Sequence, residues 1–209
     1  MALIKAGNGS SLSGLVGSVV IVQTKSGSYM RGAPNYSNSS WTKKQRAHRE
    51  RFKKVSKFVK QFKERLLPQI WNDANERLSG HALFLKTNMG AFSAEGELTA
   101  PLNLKLSTGT LDFPQGLQLS AGEAANGPLT VSWTNGAIGG VRMYDELMVI
   151  SSGGGMYSDI FDTGLLRGNK GGSFELPPLE AAATHLYLFF GSRDRRSYSG
   201  SECFEISVN

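Results

Sequence analysis

The sequence predicts a mainly β chain with a helical segment: an antiparallel, immunoglobulin or fibronectin type III-like β-sandwich preceded by a β-hairpin arm and a basic amphipathic helix. Three observations predict it. Hydrophobic periodicity changes from 3.6 to 2 near residue 81. Beyond that point, Gly, Pro and Asn clusters separate about seven short apolar runs, the spacing of a sandwich. Charge divides at the same place: residues 1–80 hold 15 Lys and Arg against 4 acids, and residues 81–209 hold 8 against 13. The expected organisation is a Gly-rich extended arm or hairpin over 1–36, basic amphipathic helices over 37–80 and the sandwich over 81–209.

In the arm, Gly7, Gly9, Gly14 and Gly17 admit backbone conformations closed to other residues, and Val19 to Val22 is a β-branched run favouring strand. Lys25-Ser26-Gly27-Ser28 reads as a turn and Tyr29-Met30-Arg31 as the return strand. Two strands alone are marginal in water, so the arm must dock on its own body or on a neighbour. The glycines show neither a GxGxxG register nor a following Lys-Ser/Thr pair, which removes support for nucleotide binding.

Ser40 or Thr42 supplies an N-cap for the next element, and Phe52, Val55, Val59, Phe62, Leu66 and Ile70 recur at helical spacing. Pro68 divides the pattern into a helix of about residues 42–66 and a second of about 69–79, with Gly80 as its stop. The candidate contact residues lie on the first: Lys43, Lys44, Arg46, Arg49, Lys53, Lys54, Lys57, Lys60, Lys63 and Arg65, beside Arg51 and with only Glu50 and Glu64 opposing them. Like charges at i,i+4 repel, so packing or a partner must offset them. Three readings compete: a solvated face above an apolar stripe docked on the sandwich, phosphate contacts with nucleic acid, and an anionic lipid or acidic protein surface, the lipid met through Phe52, Phe58 and Phe62. No base-reading motif accompanies the charge.

In the sandwich, Leu102, Leu104 and Leu106 alternate with polar residues, as do Leu117 with Leu119, Leu129 with Val131 and Trp133, Phe174 with Leu176, and Phe204 with Ile206 and Val208. Leu147-Met148-Val149-Ile150 is a continuous apolar run suited to a strand covered on both faces, and His185 to Phe190 forms another strand. A single Cys excludes a disulfide framework, which favours the fibronectin-like version with Trp133 as core anchor.

Chemistry-bearing residues do not converge in the sequence. His48, His81 and His185 have no metal-ligand spacing. Asp145-Glu146 and Asp159 with Asp162 read as turn and loop charges, and Ser132, Ser151 and Ser152 lack a nucleophile-elbow context. Cys203, alternating with Phe204, is expected to face outward. No catalytic, metal or cofactor residue is therefore assigned. Arg193, Arg195 and Arg196 cluster in the last hairpin turn as a secondary anion patch. No segment reaches the ~20 apolar residues that span a bilayer, and Leu15 to Val22 lacks the flanks of a cleaved signal, so cytoplasmic synthesis without one is expected.

Gly14-Leu15-Val16-Gly17 with Val19-Val20, then Tyr29-Met30-Arg31, Pro34, Thr42, Gln45, Arg49 and Phe52, resembles the opening signature of an uncharacterised Bacteroidetes domain-of-unknown-function family. Leu186 to Phe190 with Ser197-Tyr198-Ser199 is similar to its last hairpin, and Leu129 to Thr134 to its Trp-bearing strand. The run from Lys43 to Lys63 is more basic than the family's usual pattern. The resemblance implies no activity. Its N-terminal pattern also resembles short proteins among phage-type particle genes, implying an assembly role by analogy. The resulting expectation is a non-enzymatic structural or assembly protein that meets itself or other protein subunits, in a virion or other particle, through its arm and basic helix. The alternative is a sequence-nonspecific nucleic-acid-binding protein.

Overall fold

A computed structural model describes residues 2–4, 13–24, 27–35, 41–121, 127–134, 140–177 and 183–206. The chain is mainly β, with three antiparallel sheets and a few helices. The first sheet contains β1 (Ala2–Ile4), β2 (Gly14–Val16), β3 (Val19–Thr24) and β4 (Gly27–Gly32) in the order β1-β4-β3-β2. The expected hairpin is β3 with β4, and two short strands extend it on either side. Its turn at Lys25-Ser26 lies outside the described residues, as do Gly7, Gly9, the strand end Val208 and the alternative cap Ser40.

Helix α1 (Lys43–Val59) begins at a capping box. The Gln45 amide donates to Thr42 Oγ1 at 3.2 Å, and the Thr42 amide donates to Gln45 Oε1 at 3.0 Å. A cap of this kind contributes about 1 kcal/mol. The first turn needs it, because Lys43, Lys44 and Arg46 sit at the positive end of the helix dipole with no acid among them. The helix is shorter than expected: it tightens to 3₁₀ over Lys60–Phe62, and Pro68, which has no N–H to donate, lies in a π-helical turn over Leu67–Trp71.

Gly80 starts a helix rather than stopping one. Asn75 Oδ1 accepts from the amides of Arg77 and Leu78, Ser79 Oγ accepts from the Ala82 amide, and α2 runs Gly80–Asn88. A Cβ at Gly80 would lie 2.9 Å from the Asn72 nitrogen, so close approach, not termination, selects glycine.

Strands β5 (Gln118–Ala121), β6 (Leu129–Ser132) and β10 (Gly171–Phe174) make a three-stranded sheet in the order β10-β6-β5. Strands β7 (Glu146–Gly153), β8 (Met156–Tyr157), β9 (Phe161–Leu166), β11 (His185–Gly191) and β12 (Glu202–Glu205) make the five-stranded sheet. There β12, β11 and β7 are consecutive and both β8 and β9 pair with β7. The expected strand at Leu102–Leu106 is absent. Leu102 falls in a 3₁₀ turn, while Leu104 and Leu106 are fully buried along an extended segment that side chains pair in place of a ladder. Asn88 Oδ1 accepts from the Lys105 amide and Asn88 Nδ2 donates to its carbonyl, and Ser201 Oγ accepts from the Leu106 amide at 2.9 Å.

The body has three layers. Leu147 and Val149 of β7, with Leu186, Leu188 and Phe190 of β11, face the three-stranded sheet and meet Leu129, Val131, Trp133 and Phe174. From the other side of the same strands, Met148, Ile150, Tyr187 and Phe189 meet Val55, Val59, Phe62, Leu66, Ile70 and Trp71 of the helical segment, with Phe84 of α2. The apolar run at Leu147–Ile150 is thus buried on both faces, as its continuity predicts. The outward face of the three-stranded sheet is polar, with Gln118, Ser120, Thr130, Ser132 and Ser173 exposed.

Candidate interaction surfaces

Among the described residues, no side chain of the N-terminal sheet belongs to either core. None of the described side chains between residues 13 and 35 is buried. Leu15 and Val16 are 68% and 64% exposed, and Val19 to Val22 are only half-buried. Cross-strand register places Val16 with Val19, and Ile21 with Met30, on one face. The other face carries Leu15 with Val20, and Val22 with Tyr29. The first face is uncharged where described, whereas the second also carries Arg31, cross-strand from Val20 and the one charged residue among those described in the sheet.

The second surface is the solvent side of α1. Its first two turns, Lys43 to Glu50, are exposed on every side, and farther along only the stripe of Val55, Val59 and Phe62 is buried. Several cations already have partners. Arg49 lies over the Trp41 ring at 3.1 Å, Arg65 pairs with Asp159 at 3.0 Å, and Lys54 reaches Glu97 at 4.0 Å. Arg51 is committed to structure, since its Nη2 donates to the carbonyls of Met89 and Phe92, both at 2.8 Å. Lys43, Lys44, Arg46, Lys53, Lys57, Lys60 and Lys63 are exposed and form no ion pair with the described residues.

The lipid-facing arrangement of Phe52, Phe58 and Phe62 does not occur. Phe62 is buried, and Phe58 packs edge-on against Phe62, Phe92 and Tyr157 at 5.1 to 5.7 Å, leaving Phe52 exposed. The three-arginine patch also dissolves. Arg195 bridges Glu146, at 2.5 Å, and Asp162, while Arg193 and Arg196 point to solvent without an ion pair among the described residues. Burial and the neighbouring Asp162 raise the Glu146 pKa. Burial would also raise Asp162, but the Gly164 amide and Arg195 outweigh it and hold Asp162 below the usual carboxylate range.

The three histidines stay apart. His48 is exposed, His81 Nε2 lies 3.2 Å from Ser56 Oγ, and His185 Nδ1 lies 2.9 Å from Thr184 Oγ1. Among the described residues no three His, Cys, Asp or Glu side chains gather where a metal ion would sit. Cys203 turns inward, not outward, and packs against the helical core near Tyr157 and Tyr187; burial pushes its thiol up to about 11, away from the reactive thiolate. A groove of about 830 Å³ opens between the 3₁₀ and π-helical turns and β8, floored by Phe62, Ile150 and Tyr157, with the Arg65–Asp159 pair among its lining residues. In its lining, Ser158 Oγ donates to the neighbouring Asp159 carbonyl at 2.8 Å.

Asp145 and Arg167 form a buried ion pair that sequence spacing does not reveal. Arg167 Nε donates to Asp145 Oδ2 at 3.1 Å, both side chains are 6% exposed or less, and the guanidinium stacks 4.2 Å from the Phe190 centroid. Trp133 Nε1 donates to the Arg167 carbonyl at 2.9 Å, which fixes the pair to the core between the three- and five-stranded sheets. Burial raises the Asp145 pKa despite Arg167 and lowers that of Arg167 despite Asp145, so desolvation outweighs attraction. Asp145→Ala is therefore expected to destabilise the body by about 3–5 kcal/mol, because it strands a buried guanidinium. The double variant Asp145→Leu with Arg167→Met is expected to cost less than that single change, as read from denaturant midpoints.

The chain matches no protein-family model, no curated protein and no solved structure.

Proposed function

We propose that this chain is a non-enzymatic structural or assembly protein, in which the helix-covered sandwich is the self-sufficient body and the N-terminal sheet is the docking element. The observation that carries this reading is the contrast in burial. The body encloses two apolar cores, whereas a four-stranded sheet with apolar residues on both faces encloses none. Exposed contiguous apolar surface on a folded protein marks an interaction site. The sandwich is read as fibronectin type III-like. Counting β5, β6, β7, β9, β10, β11 and β12 as its strands, the first, second and fifth face the third, fourth, sixth and seventh. That is the immunoglobulin constant arrangement with the fourth strand moved to the opposite sheet. The family resemblance supplies the analogy to a virion or other multi-subunit particle and adds no chemistry. Deleting residues 1–35 is expected to leave the denaturant midpoint of the body unchanged and to abolish association. A body that loses its cooperative unfolding on this deletion, or associates as before, contradicts the reading.

A second reading is favoured by one observation, the unpaired cations of α1. Arg46, Lys53, Lys57 and Lys60 share the side of the helix opposite Val55 and Val59, so they would follow a phosphate backbone without reading bases. On this reading the affinity for duplex oligonucleotides falls linearly on a log–log salt plot and is indifferent to sequence. Replacing Arg46, Lys53, Lys57 and Lys60 with Gln is expected to flatten that slope by about 3–4, and absence of binding at low salt removes the reading.

A further inference from the structure

The groove between the helical turns and β8 lies at the end of the cationic row of α1, and the two share a residue. Lys60 lines the groove and also closes the row of Arg46, Lys53, Lys57 and Lys60, which runs roughly 20 Å at about 1.5 Å of helix rise per residue. Charge differs between the two regions. Along the row it is uncompensated: these four cations form no ion pair with the described residues, and Glu50 is the single acid within α1. Inside the groove it balances, since Glu64 and Asp159 match Lys60 and Arg65, and Arg65 pairs with Asp159 at 3.0 Å. A ligand that satisfies both regions has an anionic chain for the row and an uncharged part for the groove.

The lining decides what that uncharged part is. Two of its floor residues, Phe62 and Tyr157, are aromatic, and the exposed Gln61 and Gln69 bring side-chain amides to the same groove. An acyl chain would cover those amides and charges without pairing them, at a desolvation cost. A nucleobase instead lays a flat π face on an aromatic floor and turns its hydrogen-bonding edges to the amides. The volume of about 830 Å³ falls within the range of small-molecule sites, roughly 300–1,000 Å³. A base inside a duplex is stacked and paired, so only an unpaired one can enter. Resting on the phosphate-backbone reading of α1 above, we propose that the groove holds an unpaired base of a single-stranded nucleic acid whose backbone follows the row from Arg46 to Lys60. A duplex keeps the contacts along the row and loses the one in the groove. Sequence preference stays weak, because every base has a face to stack.

The test uses the full chain and compares, by fluorescence anisotropy at low salt, a labelled thymine homopolymer with a duplex of the same length. The single strand is expected to bind about ten-fold more tightly, the order of effect of one stacked base. Tyr157→Leu is expected to remove that advantage and to leave duplex affinity unchanged. Because Tyr157 also packs against Phe58 and Phe62, a second readout leaves the chain unaltered. A single strand carrying iodouracil, irradiated on the wild-type protein, is expected to crosslink at Tyr157. Binding of that strand with no crosslink in the groove, or with crosslinks at Trp41 or Phe52 alone, overturns the base site. Duplex affinity equal to or above that of the single strand also overturns it and leaves the phosphate-backbone reading standing. Binding to neither, with or without capture of the chain by phosphatidylserine vesicles, overturns both.

Discussion

The pairing of β7 with β11 is the constraint on which the body depends. Seven cross-strand pairs, from His185 with Ser152 to Gly191 with Glu146, join two strands whose side chains are apolar on both faces. Such a pair is stable only between two covering layers. The three-stranded sheet supplies one through Leu129, Val131, Trp133 and Phe174. The other comes from the helical segment, through Val55, Val59, Phe62, Leu66, Ile70 and Trp71. Hence the helices are not an appendage to the sheets. The Trp71 indole donating to the Leu106 carbonyl at 2.8 Å, and Arg51 bonded to the end of the α2 segment, tie this cover down by directional contacts as well as by burial.

The same packing explains how α1 tolerates its charge. Each like-charge i,i+4 pair costs a few tenths of a kcal/mol, whereas each fully buried Val or Phe contributes roughly 1.5–3 kcal/mol. Val55, Val59 and Phe62 of the stripe, with Leu66 just beyond, outweigh the repulsion on the solvent side, and a capping box replaces the acids missing from the first turn. Apolar burial thus dictates where the helix lies, and its exposed charge is left for solvent or a partner. The N-terminal sheet is the converse case. Its ladder satisfies the backbone internally, but its side chains find no second layer within the described chain, so the hydrophobic term that stabilises the body is unspent there.

What the sequence reveals follows the strength of each local signal. The continuous run at Leu147–Ile150 announces a strand covered on both faces, and the spacing of Val55, Val59, Phe62 and Leu66 announces the buried stripe, because each pattern has one structural solution. Other features depend on distant partners. Strands β1 and β2 have three residues each amid glycine and serine, too short for a period to register. Gly80 carries the same letter whether it ends a helix or lets one pass close to Asn72. Leu104 and Leu106 alternate as a strand would, yet Asn88 and Ser201 pair that backbone in place of a neighbouring strand. Charge counting finds the basic face of α1 but cannot see that Arg51 and Arg195 are occupied, since their partners lie 33 to 49 residues away.

Hydrogen exchange at two protein concentrations tests most directly whether the body closes its own core while the N-terminal sheet depends on other molecules. The account predicts that amides of β7 and β11 are protected equally at both concentrations. Those of Val19 to Val22 should be protected when concentrated and exchange rapidly when dilute. Protection of Val19 to Val22 that is strong and independent of concentration would contradict it.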